Sequence, residues 1–157
     1  MEKLVQQIAA ALLAKDRAVA TAESCTGGLL GAALTALPGS SAWYLGGVVA
    51  YANSLKTRLL GVPPETLAAH GAVSAETARA MAEGVRVDTG ADYSVSVTGI
   101  AGPDGGTPAK PVGLVFIAVA SPAGDTVFEH RFPGARADIR AAATEAALRH
   151  LLDAATA

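Results

Sequence analysis

The chain has 157 residues, of which 51% are hydrophobic and 17% are charged. This balance fits one globular domain over residues 1–157 and excludes a disordered or highly charged tail as the main feature of the protein. Twelve Lys and Arg stand against 14 Asp and Glu, a net charge of -2, so the chain lacks the basic excess that nonspecific binding to nucleic acid requires.

The first half of the chain alternates predicted helices and strands. Residues 1–16 carry apolar side chains at helical spacing but are too polar for a signal peptide, and no apolar run approaches a membrane span. We therefore expect a cytoplasmic protein with no membrane partner. The predicted elements are a helix ending near Asp16, a strand over 17–22, a helix over 29–37, a strand over 46–51 and a helix capped by Asn53.

The second half continues this alternation and adds a hairpin. The predicted elements are a brief helix from Pro63 and Pro64 to Gly71, a longer helix capped by Ser74, a strand over 93–97, a strand over 112–120 with its hairpin partner over 126–132, and a closing helix over 137–154. Alternating helices and strands with one hairpin predict a three-layer α/β/α sandwich with a mixed, mostly parallel sheet.

Three polar or glycine-bearing loops follow predicted strands. They are residues 23–28, 51–56 and 99–113. Because α/β proteins usually bind ligands at the carboxyl ends of their strands, we expect these loops to converge on one site.

Ser24 is the candidate nucleophile because it lies at a strand-to-helix turn, where its hydroxyl can face outward. The amides of residues 26–28 can form an oxyanion hole. The alternative is that Ser24 or Thr26 only caps the second helix. No histidine is well placed as a base, so Lys56 is the candidate, since a desolvated lysine can accept a hydroxyl proton. The alternative is that Lys56 is an exposed helix lysine.

Cys25, the only cysteine, is the rival nucleophile. A thiol at a helix N-terminus can have a depressed pKa. Cysteines are nevertheless among the most buried residues, and no histidine partner stands near this one, so Ser24 is preferred. A single cysteine also excludes an internal disulfide and a cysteine-based zinc site.

The third loop and the closing helix carry groups that suit a phosphate. Residues 99–113 contain five glycines and three prolines, so their backbone amides can approach a phosphate closely. The alternative is that this segment is a structural crossover. Arg136 and Arg140 can supply positive charge, and each is otherwise a surface arginine.

Four segments carry a resemblance to a known family. They are TAESCTGG at 21–28, PGSS at 38–41, GGVVAY at 46–51 and VTGIAGP at 97–103. In this order they resemble the CinA C-terminal domain family, and the similarity runs across nearly the whole chain. The resemblance implies hydrolysis of the carboxamide of nicotinamide mononucleotide to nicotinic acid mononucleotide and ammonia, within pyridine nucleotide recycling. It implies no metal and no organic cofactor.

The resemblance also implies roles for single residues. The family's serine and lysine fall on Ser24 and Lys56, and Tyr51 and Ser41 match positions that hold the lysine neutral and position the amide. Arg140, in preference to Arg136, aligns with a phosphate-binding arginine. The expected catalytic residues are Ser24, Lys56 and Tyr51, and the expected oxyanion-binding and substrate-binding residues are Thr26, Gly27, Gly28, Ser41, Thr98, Gly99 and Arg140.

A noncatalytic nucleotide-binding or interaction module is the alternative function. Many family members carry an additional N-terminal domain, and the family name is tied to competence and DNA damage. We expect a free-standing enzyme, because the chain starts directly at this domain. Its expected partner is a small-molecule nucleotide, since the acidic balance provides no DNA surface. A homo-oligomer is preferred to a monomer, while Trp43, Tyr44 and Leu45 are assigned to the core rather than to a subunit contact.

Overall fold

The computed structural model describes all 157 residues and confirms the predicted alternation of helices and strands. In chain order the elements are α1 (Glu2–Ala14), β1 (Val19–Glu23), α2 (Leu29–Thr35), a 3₁₀ helix (Ser40–Ala42), β2 (Tyr44–Val49), α3 (Asn53–Leu60), α4 (Pro64–His70), α5 (Ala75–Thr89), β3 (Tyr93–Gly99), β4 (Leu114–Ser121), β5 (Gly124–Arg131) and α6 (Arg136–Thr156). None of these helices combines the length and the hydropathy that a membrane crossing requires.

The five strands form one sheet in the order β2-β1-β3-β4-β5. Strand β1 pairs in parallel with β2 and β3, whereas β4 is antiparallel to both β3 and β5. Four strands therefore run in one direction and β4 runs in the other, which confirms the mixed, mostly parallel sheet. The hairpin turns at residues 122–123, between the paired residues Ser121 and Gly124.

Helices cover both faces of this sheet. Helices α1, α2 and α6 pack on one face, and α5 packs on the other beside α3 and α4. Successive residues of β1 serve both layers, because Val19 belongs to the core under α1 and α6 while Ala20 belongs to the core under α5. Burial of each large aliphatic side chain, such as Ile8 or Leu148, contributes about 1.5–3 kcal/mol. The three-layer α/β/α sandwich is confirmed.

The edge strand β2 begins two residues earlier than predicted. Trp43, just before it, is 1% exposed, so its assignment to the core is confirmed. Tyr44 is half-buried, and Leu45 is 51% exposed. The core assignment of Leu45 is wrong, because successive side chains of a strand point to opposite faces and β2 has a neighbour on one side only.

The helix starts show which capping predictions hold. Ser74 precedes α5 and its Oγ accepts the amide of Thr77 at 3.1 Å, which confirms the predicted cap. Asn53 is the first residue of α3 itself, and Ala52 occupies the capping position without a side-chain hydrogen bond. The prediction that Asn53 caps this helix is wrong by one residue.

The parallel strands bring the three loops to one edge of the sheet. Glu23, the last residue of β1, pairs with Val49 of β2 and Val97 of β3. Residues that follow these three strands line one common cleft. The expected convergence of the loops at the carboxyl ends of the strands is therefore present in the structure.

Candidate active site

Ser24 and Lys56 meet at this edge. Ser24 directly follows β1, and its amide donates to the carbonyl of Val97 in β3 at 2.9 Å. Lys56 lies in the first turn of α3, which begins shortly after the neighbouring strand β2. The Nζ of Lys56 lies 3.0 Å from the Oγ of Ser24. The two residues that the sequence singled out as nucleophile and base are therefore within hydrogen-bond distance.

Burial of the Lys56 amine makes its neutral form more accessible than that of an exposed lysine. Lys56 is 1% exposed, so the alternative that it is a surface lysine is wrong. Its Nζ also lies 3.0 Å from the carbonyl oxygens of Ala50 and Tyr51. Burial lowers the pKa of Lys56 below its ordinary value of 10.5, although Cys25 acts in the opposite direction. A neutral amine can donate to both carbonyls and keep its lone pair for the Ser24 hydroxyl.

Glu23 holds the turn that carries Ser24. Its carboxylate is buried and accepts the amides of Gly28, Leu30 and Gly31 at 3.0, 3.1 and 2.8 Å. These are the amides at the start of α2, which have no partner within the helix. Neither Ser24 nor Thr26 caps this helix, because its N-cap residue is Gly28 and the side chain that accepts the amides at its start is that of Glu23. The role of Glu23 was not predicted from the sequence. The feature that could have indicated it is a carboxylate placed between a buried strand and the start of a helix.

The same turn shows which amides can face an oxyanion. The amide of Gly28 donates to Glu23, and that of Gly27 donates to the carbonyl of Ser24 at 3.0 Å. This corrects the expectation that Gly27 and Gly28 offer oxyanion-binding amides. The amides of Cys25 and Thr26 donate to no protein acceptor, and Cys25 lines the cleft beside Ser24. Cys25 and Thr26 thus keep amides that no protein group occupies and that are candidates to stabilise an oxyanion, and of the two residues only Cys25 lines the cleft, since Thr26 is fully buried.

Cys25 is poorly suited as the nucleophile. It is buried, and this burial raises the pKa of its thiol to about 11, against the opposing effects of its own backbone amide, Arg140 and Lys56. The thiolate is the reactive form of cysteine, and at neutral pH it would be scarce here. The serine is the better nucleophile of the two neighbours.

A cleft of about 190 Å³ opens beside the Ser24 and Lys56 side chains. The other residues that line it are Cys25, Tyr51, Asn53, Ala72, Val73, Thr98, Gly99, Ala101 and Arg136. Ligand pockets usually span about 300–1,000 Å³. The enclosed part of this cleft therefore suits a ring-sized group, with the remainder of a larger ligand at its rim.

Tyr51 and Arg136 form part of that rim. Tyr51 is 58% exposed, and its hydroxyl accepts a hydrogen bond from the Nη2 of Arg136 at 2.9 Å. The Nη1 of Arg136 donates to the carbonyl of Gly102 at 2.8 Å. Tyr51 contacts Lys56 through its backbone carbonyl and not through its phenol. The expected role of Tyr51 beside the lysine therefore belongs to its main chain.

The two candidate arginines have different surroundings. Arg140 does not line the cleft, and its guanidinium donates to the carbonyls of Cys25 and Thr26, each at 3.1 Å. Arg136 lines the cleft. Arg136, rather than the preferred Arg140, is thus the arginine that a ligand in this cleft could contact.

Thr98 and Gly99 lie in the cleft wall, as expected. The Oγ1 of Thr98 donates to the carbonyl of Ala72 at 2.7 Å and so ties β3 to the loop before α5. A Cβ at Gly99 would lie 2.6 Å from a methyl of Val115, so a side chain there would press into β4. Of the loop over residues 99–113, only Gly99 and Ala101 line the cleft. The rest of that loop lies outside it.

Ser41 lies away from this site. It belongs to the short 3₁₀ helix before β2, and it is exposed. Because β1 and β2 are parallel, the start of β2 lies at the opposite edge of the sheet from Ser24. The expectation that Ser41 lines the same cleft within this chain is corrected, because Ser41 precedes β2 whereas the cleft lies where the parallel strands end.

A larger groove of about 780 Å³ lies between α3, α4 and α5. Its charged lining residues are Arg58, Glu76, Arg79, Glu83 and Asp88. It contains none of the residues that the sequence singled out. No group of three or more His, Cys, Asp or Glu side chains is arranged to hold a metal ion. The candidate nucleophile Ser24 and the candidate base Lys56 line the smaller cleft, which is therefore the candidate active site.

Known proteins resemble this chain over nearly its full length. The CinA C-terminal domain family matches residues 1–155. A CinA-like protein of Gemmatimonas aurantiaca is 56% identical over 137 residues, which cover 87% of this chain and 32% of that protein. A CinA-like protein of Anaeromyxobacter sp. strain K is 52% identical over 150 residues, with 96% and 37% covered. The chain spans about a third of the length of these relatives.

Solved structures share the same fold. The competence/damage inducible protein CihA from Agrobacterium tumefaciens has a TM-score of 0.94 and 44% identity, covering 97% of this chain and 93% of its own. A CinA superfamily protein from Klebsiella pneumoniae 700603 has a TM-score of 0.94 and 36% identity, with 98% and 96% covered. From sequence and fold together, this chain belongs to the CinA C-terminal domain family.

Proposed function

We propose that this domain hydrolyses a carboxamide, with nicotinamide mononucleotide as substrate and nicotinic acid mononucleotide and ammonia as products. One observation carries the proposal: the Oγ of Ser24 lies 3.0 Å from the amine of buried Lys56, whose other contacts are two backbone carbonyls. A lysine held in this way can activate a serine without a histidine. The family resemblance supports the choice of a pyridine nucleotide.

Acylation begins with neutral Lys56. Its lone pair takes the proton of the Ser24 hydroxyl as Oγ forms a bond to the carboxamide carbon, and the electron pair of the carbonyl moves to its oxygen. The amides of Cys25 and Thr26 donate to this oxyanion. When the carbonyl re-forms, the carbon–nitrogen bond breaks, and Lys56 returns its proton to the departing nitrogen, which leaves as ammonia.

Deacylation uses the same residues with water in place of the serine. Lys56 takes a proton from a water molecule, whose oxygen attacks the acyl carbon. The bond from that carbon to the Oγ of Ser24 then breaks, and Lys56 returns the proton to Oγ. The product is nicotinic acid mononucleotide, and the enzyme regains its starting state.

The dimensions of the cleft support this substrate class. A volume of about 190 Å³ suits the pyridine ring and its carboxamide. The ribose and phosphate would then lie at the rim, beside Tyr51 and the guanidinium of Arg136. An arginine fork matches a phosphate in both charge and geometry.

Ammonia release tests this function. We would give purified protein nicotinamide mononucleotide, nicotinamide riboside and free nicotinamide in parallel, with Ser24→Ala as the test variant. Ser121→Ala, in the distant hairpin turn, is the matched control. We expect ammonia release to be fastest from the mononucleotide and slower from the riboside, retained in the control and lost in folded Ser24→Ala. An undiminished rate in Ser24→Ala contradicts the proposed mechanism.

A noncatalytic nucleotide-binding module is the second candidate. The Agrobacterium neighbour is named a competence/damage inducible protein, and this name states no reaction. Binding of the mononucleotide to folded wild type, with no ammonia from any of the three compounds, would favour this candidate over the enzyme.

A further inference from the structure

Arg140 reaches from α6 to the turn that carries the nucleophile. Its Nε donates to the carbonyl of Cys25, and its Nη2 donates to that of Thr26, each at 3.1 Å. The preceding carbonyl, that of Ser24, accepts the amide of Gly27 at 3.0 Å. Three consecutive carbonyls of the turn, two of them bound by one guanidinium, are thus held in fixed directions.

These bonds also determine where the neighbouring amides point. In a trans peptide the C=O and N–H groups point in opposite directions. The carbonyl of Ser24 shares a peptide with the amide of Cys25, and the carbonyl of Cys25 shares one with the amide of Thr26. Fixing the two carbonyls therefore fixes the two amides that have no protein acceptor. Arg140 directly holds the second of these peptides.

The turn is built to admit the guanidinium. Gly27 has a φ of +59°, and a Cβ there would lie 3.3 Å from the Nη2 of Arg140. Glycine adopts this left-handed conformation at little cost. Arg140 is only partly exposed, so its position against the turn is set by packing as well as by hydrogen bonds.

We propose that Arg140 is a positioning residue, which orients the oxyanion-binding amides of Cys25 and Thr26 and does not select the substrate phosphate. This inference rests on the proposed function of the same site. Arg140 acts through the backbone, since the guanidinium is bonded to two carbonyls and lies outside the cleft lining. Phosphate selection belongs to Arg136, which lines the cleft.

Arg140→Lys tests this role while keeping the positive charge. A lysine can bond to one carbonyl but cannot reproduce the fork that holds two neighbouring carbonyls. Removal of an oxyanion donor costs about 100- to 1,000-fold in kcat, so a misdirected donor should cost about 10- to 100-fold. The control is Arg149→Lys on the same helix, where the arginine is exposed and bonds only to Glu145.

The readout is kcat and KM for the mononucleotide and for the riboside, which lacks the phosphate. We expect Arg140→Lys to lower kcat on both substrates by the same factor and to leave both KM values near wild type. A rise in KM for the mononucleotide alone would assign phosphate binding to Arg140 and overturn the proposal. A lowered thermal midpoint with unchanged kcat would show a merely structural role and would also overturn it.

A substrate without a nucleotide separates this inference from the proposed function. The activated ester p-nitrophenyl acetate also passes through an oxyanion when it acylates a serine. If wild type reacts with the ester but not with the mononucleotide, the proposed substrate is wrong, and a slower ester reaction in Arg140→Lys still supports the positioning role. Equal ester rates in the two proteins overturn the positioning role, and so does a wild type that reacts with neither compound.

Discussion

Replacing Lys56 by Met removes the amine while it keeps an unbranched side chain in the buried space. Ser24 then loses the group that lies 3.0 Å from its Oγ. A positioned general base contributes about 100- to 10,000-fold to catalysis. Because the same amine also returns the proton to the leaving ammonia, we expect kcat to fall by at least about 100-fold.

The variant should still fold. Loss of the amine leaves the buried carbonyl of Ala50 without a donor, whereas water can replace the lysine at the part-exposed carbonyl of Tyr51. One unsatisfied buried acceptor costs about 1–3 kcal/mol. Part of this cost is offset, because a buried amine no longer has to be desolvated. A net loss of about 0–3 kcal/mol is smaller than the stability of a typical domain, about 5–15 kcal/mol.

The assay combines ammonia release from the mononucleotide with a thermal melt. Lys110→Met is the control, since the Nζ of Lys110 donates only to the exposed carbonyl of His70. Burial lowers the pKa of Lys56, so the wild-type rate should rise with pH along a limb centred below pH 10.5, as the amine loses its proton. Folded Lys56→Met with a kcat within about 10-fold of wild type, or with the same pH limb, would refute this reasoning.

Two further predictions concern stability. Glu23→Gln replaces one carboxylate oxygen by an amide N–H donor, which faces the amides of Gly28, Leu30 and Gly31. Denaturant unfolding should therefore show that the free energy of unfolding falls by about 1–3 kcal/mol. The control Glu145→Gln should change it little, and equal losses in the two variants would contradict the role of Glu23. The Nε2 atoms of His130 and His150 lie 2.8 Å apart, and burial lowers the pKa of both below 6.5. Near that pH the unfolded chain therefore binds more protons than the folded protein does, so the free energy of unfolding should fall as the pH is lowered from about 7 to about 5. His150→Phe should flatten this dependence relative to His70→Gln, and an unchanged slope would count against the pair.

Local sequence patterns could predict the type of almost every element but not the ends of all of them. Helices and strands differ in hydrophobic period, so their existence follows from the sequence. The edge strand β2 differs from its prediction, because its limits depend on which residues pair with β1. Leu45 is exposed for the same reason: strand position in the sheet, which is a tertiary property, decides burial at the edge.

The proximity of Ser24 and Lys56 could be predicted because each follows a strand of the sheet. Two adjacent parallel strands place such residues at one edge, so chain order was enough for Ser24 and Lys56. The role of Arg140 could not be predicted, since its bond to Cys25 joins residues 115 positions apart. The position of Ser41 at the opposite edge of the sheet follows from its place before β2, which the match to the family motif alone did not take into account.

The amides of Gly27 and Gly28 are the other point at which the site differs from the prediction. The glycines of the turn suggested free amides at Gly27 and Gly28, but the sequence gives no indication of which acceptors they meet. In the structure the amide of Gly28 donates to the buried Glu23 carboxylate, and the amide of Gly27 donates to the Ser24 carbonyl. Backbone amides at a helix start attract any nearby acceptor, so a carboxylate within the chain can occupy positions that a sequence pattern assigns to a ligand.

The most direct test of the central claim is to stop turnover of the mononucleotide rapidly and locate the acyl group by tandem mass spectrometry. The chain contains Ser24 and Cys25 side by side, so fragmentation between them distinguishes the two nucleophiles. The Ser24–Lys56 dyad predicts the acyl group of nicotinic acid mononucleotide on Ser24. An acyl group on Cys25, or continued ammonia release when Ser24 is replaced by Ala, would contradict it.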